Sequence, residues 1–289
     1  MSKTPVRIDA HQHFWQLDRG DYRWLTPELG PLYRDFQPAD LQPELQAHGI
    51  RHTILVQAAD SLAETEYLLA LADRTPFVAG VVGWVDLAAP AAARDLARLC
   101  RHRKLVGIRP MLQDLPEDDW MLRRDLDAAY RAVIEHGLVF DALVKPRHLP
   151  HLIRLVDIYP ELRVVIDHAA KLPILPLDQT WSQLPRWRRD LTTLAGNPNV
   201  ACKLSGLVTE AHPAWTAAEL RPVAESVLEL FTPARVLWGS DWPVVLRNGS
   251  YARWWDATQE LLQGLRPADR DAILGGNAAR VYLSGDRVS

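Results

Sequence analysis

The sequence predicts a single (β/α)8 barrel, the TIM-barrel fold, over residues 1–289. Eight short apolar runs recur along the chain. These runs are continuous and do not alternate with polar residues, which is typical of parallel strands buried on both faces. Helical patterns separate consecutive runs, and this regular alternation favours repeated β–α units. A length of 289 residues is normal for one such barrel.

The strands are recognised by aliphatic and β-branched residues that end at polar or turn-forming residues. The first strand runs into His11-Gln12-His13, the fourth ends at Arg109, and the last ends in Gly-Ser-Asp at Asp241. The predicted strands are residues 6–10, 52–57, 77–85, 105–108, 138–144, 163–168, 199–206 and 235–241.

The helices are recognised mainly by their end signals. Gly49 and Gly137 stand at the C′ position that ends a helix, and Pro160 stops another. Ser61 begins a Ser-x-x-Glu capping box, and Pro90 stands at a helix start. The predicted helices are residues 38–48, 90–102, 118–136, 149–159, 185–195, 220–231 and 251–262, with one more from Ser61 and a terminal helical stretch through Leu283.

Two features limit the alternatives to this fold. A doubly wound open sheet is the main alternative, but no Gly-x-Gly-x-x-Gly follows any predicted strand. No linker or internal repeat divides the chain, so we expect one domain.

Residues 14–37 show little periodicity. Because loops of this length in compact domains are usually functional, we expect them to cover the mouth of the barrel.

The composition excludes several classes of function. Lys and Arg number 33 against 36 Asp and Glu, a net charge of −3 that gives no reason to expect nucleic-acid binding. No apolar run approaches the ~18 residues of a membrane span, and residues 6–10 are too short for a signal peptide. Cys100 and Cys202 lack metal-type spacing and are expected to be reduced, buried thiols. We therefore expect a soluble cytoplasmic protein, and no pattern indicates its oligomeric state.

Ionisable residues concentrate at the predicted strand ends, which form the functional face of a barrel. His11 and His13 are two residues apart on one strand and so point to the same side. In a closed barrel the first and last strands are neighbours, which brings this pair beside Asp241. The strand ends together carry His11, His13, Gln57, Trp84, Arg109, Asp141, His168, Lys203 and Asp241.

Each of these residues also has a structural interpretation. Asp141 can form an internal salt bridge with Arg109 or Lys203, because an unpaired buried carboxylate is costly. Lys203 can reach solvent along its stem, and Asp167 can be the inward residue in place of His168. Tryptophans near the strand ends are candidates to line an apolar pocket; these are Trp15, Trp84 and Trp242, whereas Trp238 lies inside a strand and favours core packing.

Six stretches that span nearly the whole chain resemble the amidohydrolase superfamily, in particular its lactonase branch. They are residues 8–15, 106–109, 166–169, 202–207, 238–243 and 276–280. The resemblance is greatest to hydrolases of L-fuconolactone and L-rhamnonolactone. It implies that His11 and His13 match the family's first-strand pair, that His168 matches the sixth-strand histidine, and that Asp241 activates the hydrolytic water.

The metal content stays open at this point. Metal-binding members carry a bridging Lys or Glu on strand four and a His on strand five, where this chain has Arg109 and Asp141. A two-metal site is therefore not supported. Three imidazoles and a carboxylate suit one Zn²⁺ or Mn²⁺, and the resemblance equally allows no metal; the ligands would be His11, His13, His168 and Asp241.

The expected chemistry is hydrolysis of a cyclic carboxylic ester, which needs a base for water and stabilisation of an oxyanion. Asp241 is the candidate base, with a pKa that is modest or somewhat raised by partial burial. The imidazoles, or a metal that they hold, would polarise the carbonyl. The substrate would be bound by Arg109 and Lys203 through charged hydrogen bonds, by Asp141 through sugar hydroxyls, and by Trp15, Gln57, Trp84 and Trp242.

Three other functions remain as alternatives. The first is hydrolysis of a carboxylated lactone of the pyrone-dicarboxylate or muconolactone type, and the second is decarboxylation. The third is a non-catalytic barrel that binds a small ligand. A serine nucleophile is not supported, because Ser205 and Ser240 lack a Gly-x-Ser-x-Gly elbow.

Overall fold

Eight parallel strands form one sheet, in the order of the sequence, in a computed structural model that describes residues 5–179 and 181–284. Each strand pairs in parallel with the next along the chain. The (β/α)8 prediction is confirmed. The strands are β1 (Arg7–Gln12), β2 (Ile50–Val56), β3 (Val78–Gly83), β4 (Leu105–Ile108), β5 (Val139–Ala142), β6 (Arg163–Ile166), β7 (Val200–Leu204) and β8 (Val236–Trp238).

The barrel closes between the end of β1 and the residues that follow β8. The backbone N–H of Asp241 donates to the His11 carbonyl at 2.8 Å, and the N–H of His13 donates to the Trp242 carbonyl at 2.7 Å. The residues that close the barrel are therefore the same ones that the sequence marks as chemically important. The hydrogen bonds that close the barrel therefore also bring His11 and His13 next to Asp241.

Helices surround the sheet, and most begin and end within a few residues of the predicted bounds. They are α1 (Pro38–His48), α2 (Leu62–Asp73), α3 (Ala92–Leu99), α4 (Asp127–Glu135), α5 (Leu149–Ile158), α6 (Leu184–Ala195), α7 (Ala217–Phe231), α8 (Tyr251–Leu261) and α9 (Pro267–Asp271). No helix within residues 5–179 and 181–284 combines the length and apolarity that crossing a membrane requires.

The helix predicted for residues 118–136 is the main difference from the sequence analysis. Only α4, its C-terminal half, is α-helical, and the N-terminal half forms two short 3-10 turns at Trp120–Leu122 and Arg124–Leu126. The hydroxyl of Tyr130 donates to the Met121 carbonyl at 2.9 Å. A tertiary contact thus satisfies a carbonyl that a continuous helix would have paired internally.

The core has two parts. A large apolar cluster packs the strands against the helices, and a smaller one fills the barrel interior. The chain after α9 returns to this interior, where Ala278 and Tyr282 pack against residues of the strands, such as Val139 and Val165. Cys202 is buried but Cys100 is half-buried, so the expectation of a buried thiol holds for Cys202 only.

Candidate active site

A cavity of about 230 Å³ opens at the C-terminal strand ends. Four residues predicted from the sequence line it, namely His13, Arg109, His168 and Asp241. This volume is below the ~300–1,000 Å³ of pockets for drug-sized ligands. The cavity therefore suits one small ring.

The three predicted histidines and Asp241 lie together at this site, and none is more than 3 % exposed; His13, His168 and Asp241 line the cavity, whereas His11 is fully buried next to them. The Nε2 atoms of His11 and His13 are 3.2 Å apart. Asp241 Oδ1 lies 3.4 Å from His13 Nε2, 3.7 Å from His11 Nε2 and 3.8 Å from His168 Nε2. One carboxylate oxygen thus faces three imidazole nitrogens.

An irregularity in β1 turns His11 into the barrel. Ala10 belongs to the interior apolar cluster, yet its neighbour His11 also reaches interior residues. A regular strand would send the two to opposite faces. The register between β1 and β2 shifts between Asp9 and Gln12, and such a bulge re-aims side chains next to functional sites.

Both candidates after β6 face inward, which resolves the choice between Asp167 and His168. Asp167 continues the inward face of the strand and is fully buried. From His168 to Lys171 the backbone is left-handed, with φ between 49° and 59°. His168 and Lys171 both line the cavity. Left-handed geometry costs about 1–2 kcal/mol per residue, and such strain clusters at functional sites.

Gly206 fixes the position of His168. The Nδ1 atom of His168 lies 2.8 Å from Ser205 Oγ. A Cβ added at Gly206, where φ is +61°, would lie 2.4 Å from His168 Nδ1. We expect Gly206→Ala to lower kcat about a hundredfold, because a displacement of about 1 Å at a reacting group has that effect. Steady-state kinetics would measure it.

Gly264→Ala is the matched control, because a Cβ at Gly264 meets no atom within 4 Å. It should leave both kcat and the melting temperature close to those of the parent protein. Wild-type kcat in Gly206→Ala would contradict the idea that Gly206 sets the position of His168.

Arg109 and Gln57 brace each other at the ends of β4 and β2. Gln57 Nε2 donates to the Arg109 carbonyl at 2.6 Å, and the Arg109 guanidinium donates back to the Gln57 carbonyl. Arg109 Nη1 lies 3.4 Å from both His11 Nε2 and Asp167 Oδ2. The guanidinium is thereby held at the floor of the cavity with its orientation fixed.

The hydrogen-bond partners assign the tautomers of the two β1 histidines. His13 Nδ1 lies 2.7 Å from the Val56 carbonyl, which can only accept, so Nδ1 carries the proton and Nε2 accepts. His11 Nε2 is then the donor in the 3.2 Å contact with His13. His11 Nδ1 is left as the acceptor, and Lys203 Nζ donates to it at 3.1 Å.

Electrostatics favour the ionised form of Asp241. Burial lowers the pKa of His168 to about 4, and burial also lowers the pKa of His11 and His13. Burial alone would raise the pKa of Asp241, but interactions with His168, His13 and His11 outweigh it and hold this pKa below its usual range. The sequence-based expectation of a modest or raised pKa was wrong, because it did not include three imidazoles around one carboxylate.

Two predicted substrate-binding residues lie beneath the cavity. Asp141 and Lys203 are fully buried and form an ion pair of 2.5 Å, as the structural interpretation of Asp141 allowed. The second oxygen of Asp141 accepts a 2.7 Å hydrogen bond from the Tyr282 hydroxyl. Neither side chain is among the cavity-lining residues in the described part of the chain.

The predicted tryptophans also lie outside the described cavity lining. Trp15 is fully buried, and its indole N–H donates to the Arg34 carbonyl. Trp242 is 3 % exposed and packs on Phe36 with ring centroids 5.1 Å apart. Trp84 is half-buried. Contacts between these three residues and a substrate stay predictions.

The sequence analysis missed Trp24 and Lys171, both of which line the cavity. Trp24 comes from the long segment predicted to cover the mouth, and its indole N–H donates to the Ala58 carbonyl at 2.7 Å. The length of that segment was the only signal for it. Lys171 pairs with Glu210 at 2.7 Å, and the left-handed turn that places it has no sequence signal.

Glu64 supports the same wall of the cavity. The Ser61 hydroxyl accepts from the Glu64 N–H, as the capping box predicts. The Glu64 carboxylate, however, turns inward and accepts from the N–H groups of Ala58 and Ala59 at 2.8–3.1 Å. Burial raises the pKa of Glu64 to about 8. Its side chain therefore orders the loop after β2, to which Trp24 is bound.

The spacing of the cluster admits one divalent ion. Two ligands of a tetrahedral zinc with bonds of about 2.0–2.1 Å are about 3.3 Å apart, close to the separations among His11, His13 and Asp241. The partners of His11 oppose this arrangement. An ammonium at Nδ1 leaves the proton on Nε2, the atom that would have to bind the metal.

Comparisons with known proteins are consistent with this geometry. A family model described as Amidohydrolase matches residues 8–283. An L-fucono-1,5-lactonase of Burkholderia ambifaria is 46 % identical over 97 % of this chain and 98 % of its own. One from Burkholderia multivorans is 39 % identical over 96 % of each. A crystal structure of a Burkholderia multivorans amidohydrolase with bound zinc superimposes with a TM-score of 0.89, at 38 % identity over 96 % of this chain and 99 % of that one.

Proposed function

Because the chain belongs to the amidohydrolase family, we propose that it opens the ester ring of a sugar-acid lactone, of the L-fucono-1,5-lactone or L-rhamnonolactone type. The observation that carries the proposal is the placement of Asp241 Oδ1 within 3.8 Å of three imidazole nitrogens, beside Arg109, in a cavity for one small ring. The names of the two relatives support the substrate class. A carboxylated lactone, a decarboxylation or a purely binding barrel is not favoured.

In the proposed reaction, Asp241 takes a proton from a water molecule as the water oxygen attacks the lactone carbonyl. The developing oxyanion accepts a hydrogen bond from Arg109 Nη1 and a second from His11 Nε2–H, whose resting partner is His13 Nε2 at 3.2 Å; the two donor atoms lie 3.4 Å apart. The carbon–oxygen bond of the ring then breaks. The leaving alkoxide receives the proton that Asp241 took, which gives the open hydroxy acid.

The remaining cavity residues bind and orient the substrate. His13 and His168 present Nε2 atoms within 3.8 Å of Asp241 and restrict where its oxygen can point. Trp24 offers an aromatic side chain, and Lys171 a charged one, to the ring substituents. A divalent ion at His11, His13 and Asp241 would polarise the carbonyl as a Lewis acid. The chain supplies the same polarisation through Arg109 and His11.

The test is proton release from a panel of lactones. The panel contains L-fucono- and L-rhamnono-lactones, a pyrone dicarboxylate and an aromatic carboxylate, the last followed by carbon dioxide release. We expect turnover of the sugar lactones. If no lactone is hydrolysed, or if carbon dioxide is released, the proposal fails.

Chelation is expected to leave lactone turnover unchanged. The reason is that the Lys203 ammonium, 3.1 Å from His11 Nδ1, keeps His11 Nε2 protonated and unfit as a ligand. The measurement is kcat before and after removal of metal, with the metal content determined on the same sample. Loss of turnover that one equivalent of Zn²⁺ or Mn²⁺ restores would show instead that a metal does this work.

A further inference from the structure

Beneath the cavity, three strands place ionisable groups inside the barrel. Asp141 comes from β5, Asp167 directly follows β6, and Lys203 comes from β7; all three are 0 % exposed. Charged groups are almost never fully buried unless they are paired. The proposed reaction uses none of them directly, so their presence needs a different explanation.

Lys203 is the centre of this group. Its Nζ donates to Asp141 Oδ2 at 2.5 Å and lies 3.0 Å from Asp167 Oδ1. Its third neighbour is His11 Nδ1, at 3.1 Å. Asp167 Oδ1 also lies 3.3 Å from His11 Nδ1, but Lys203 Nζ is closer to both atoms, at 3.0 Å and 3.1 Å. Because the Lys203 ammonium can only donate, it favours His11 Nδ1 as an acceptor and so a proton on Nε2, in agreement with the tautomer derived from His13.

Asp141 in turn is held from the C-terminal end of the chain. The Tyr282 hydroxyl donates to Asp141 Oδ1 at 2.7 Å, and its ring lies 5.3 Å from Lys203 Nζ. The ring belongs to the apolar cluster of the barrel interior. The only polar atom of this side chain is therefore bound to the carboxylate that anchors Lys203.

We propose that Tyr282 is a positioning residue for the proposed hydrolysis, acting through Asp141 and Lys203 on His11. The hydroxyl fixes the Asp141 carboxylate, the carboxylate fixes the Lys203 ammonium, and the ammonium holds His11 with its proton on Nε2, directed at the cavity. Without the hydroxyl, Asp141 Oδ1 is a buried acceptor without its partner, an unfavourable state that the carboxylate relieves by moving. The expected change in kcat rests on the proposed function, whereas the expected tautomer of His11 does not.

The test is Tyr282→Phe, which removes one oxygen and keeps the ring in the apolar cluster. We expect kcat on the sugar lactone to fall about 10–100-fold, the effect of removing an outer partner of a functional histidine. KM should stay near the parent value, because Tyr282 does not line the described cavity. Tyr159→Phe is the matched control: its hydroxyl also donates to a carboxylate, Asp127 Oδ1 at 2.9 Å, but on the outer surface.

A second readout does not require turnover. Nitrogen-15 shifts of the His11 imidazole distinguish a proton on Nε2 from one on Nδ1, and we expect the Nε2 form in the parent protein and a mixture in Tyr282→Phe. A parent protein with the proton on Nδ1 overturns the inference, even if the variant does not fold. Unchanged kcat and an unchanged tautomer in a folded variant overturn it as well.

The two proposals can fail separately. If the parent protein hydrolyses no lactone, the proposed function fails while the tautomer measurement still tests the positioning role. If the parent protein hydrolyses lactones and Tyr282→Phe equals Tyr159→Phe in kcat, the positioning role fails while the function stands.

Discussion

Replacing Asp241 with Asn is expected to lower kcat on a sugar lactone by about 10²–10⁴-fold, the usual contribution of a general base. Asparagine keeps the shape of the side chain but cannot take a proton from water. Single-turnover and steady-state kinetics on the same lactone would measure the loss.

The backbone makes Asn the right replacement. Asp241 has a φ of +57°, a conformation that Asn adopts more readily than most residues. The variant should therefore fold, which thermal unfolding would verify, and Asp256→Asn on the exposed face of α8 serves as the charge-matched control. Full activity in Asp241→Asn would show that a group other than Asp241 takes the proton from water.

Arg109→Lys is expected to lower kcat/KM by about 10²–10³-fold, the range for removal of one oxyanion-stabilising donor. The guanidinium simultaneously contacts Asp167, the Gln57 carbonyl and the region of His11 Nε2. A lysine ammonium is a compact point charge on a flexible stem and cannot reproduce this fork. The charge is conserved, so the loss would report geometry and not net electrostatics.

The control for this prediction is Arg94→Lys, since the Arg94 side chain is 81 % exposed on α3. It should match the parent protein in kcat/KM and in melting temperature. Nearly full activity in Arg109→Lys would mean that the oxyanion is stabilised by another donor, and His11 Nε2–H is the remaining candidate at this site.

Local sequence patterns predicted the elements that local interactions determine. Helix α1 occupies the predicted residues because Gly49, with φ of +67°, ends it as the C′ signal indicated. Strand β4 matches its predicted bounds because polar residues on both sides of the short apolar run fix where the strand begins and ends. Residues 118–136 do not form one helix, and the Met121 carbonyl instead accepts from the side chain of Tyr130, nine residues along the chain, a contact that helical periodicity does not predict.

Sequence patterns alone predicted the barrel and brought His11, His13 and Asp241 to one mouth, because strand periodicity and the rule that function lies at C-terminal strand ends depend only on the order of residues. The choice of His168 over Asp167 depended on the family resemblance. The tertiary structure decided which charges face the substrate. Asp141 and Lys203 occupy strand positions that point inward, but their depth places them beneath the cavity, where they bind each other and Tyr282. Lys171 reaches the cavity through four left-handed residues. Depth along a strand axis and backbone strain arise from packing between distant segments, so no pattern of neighbouring residues encodes them.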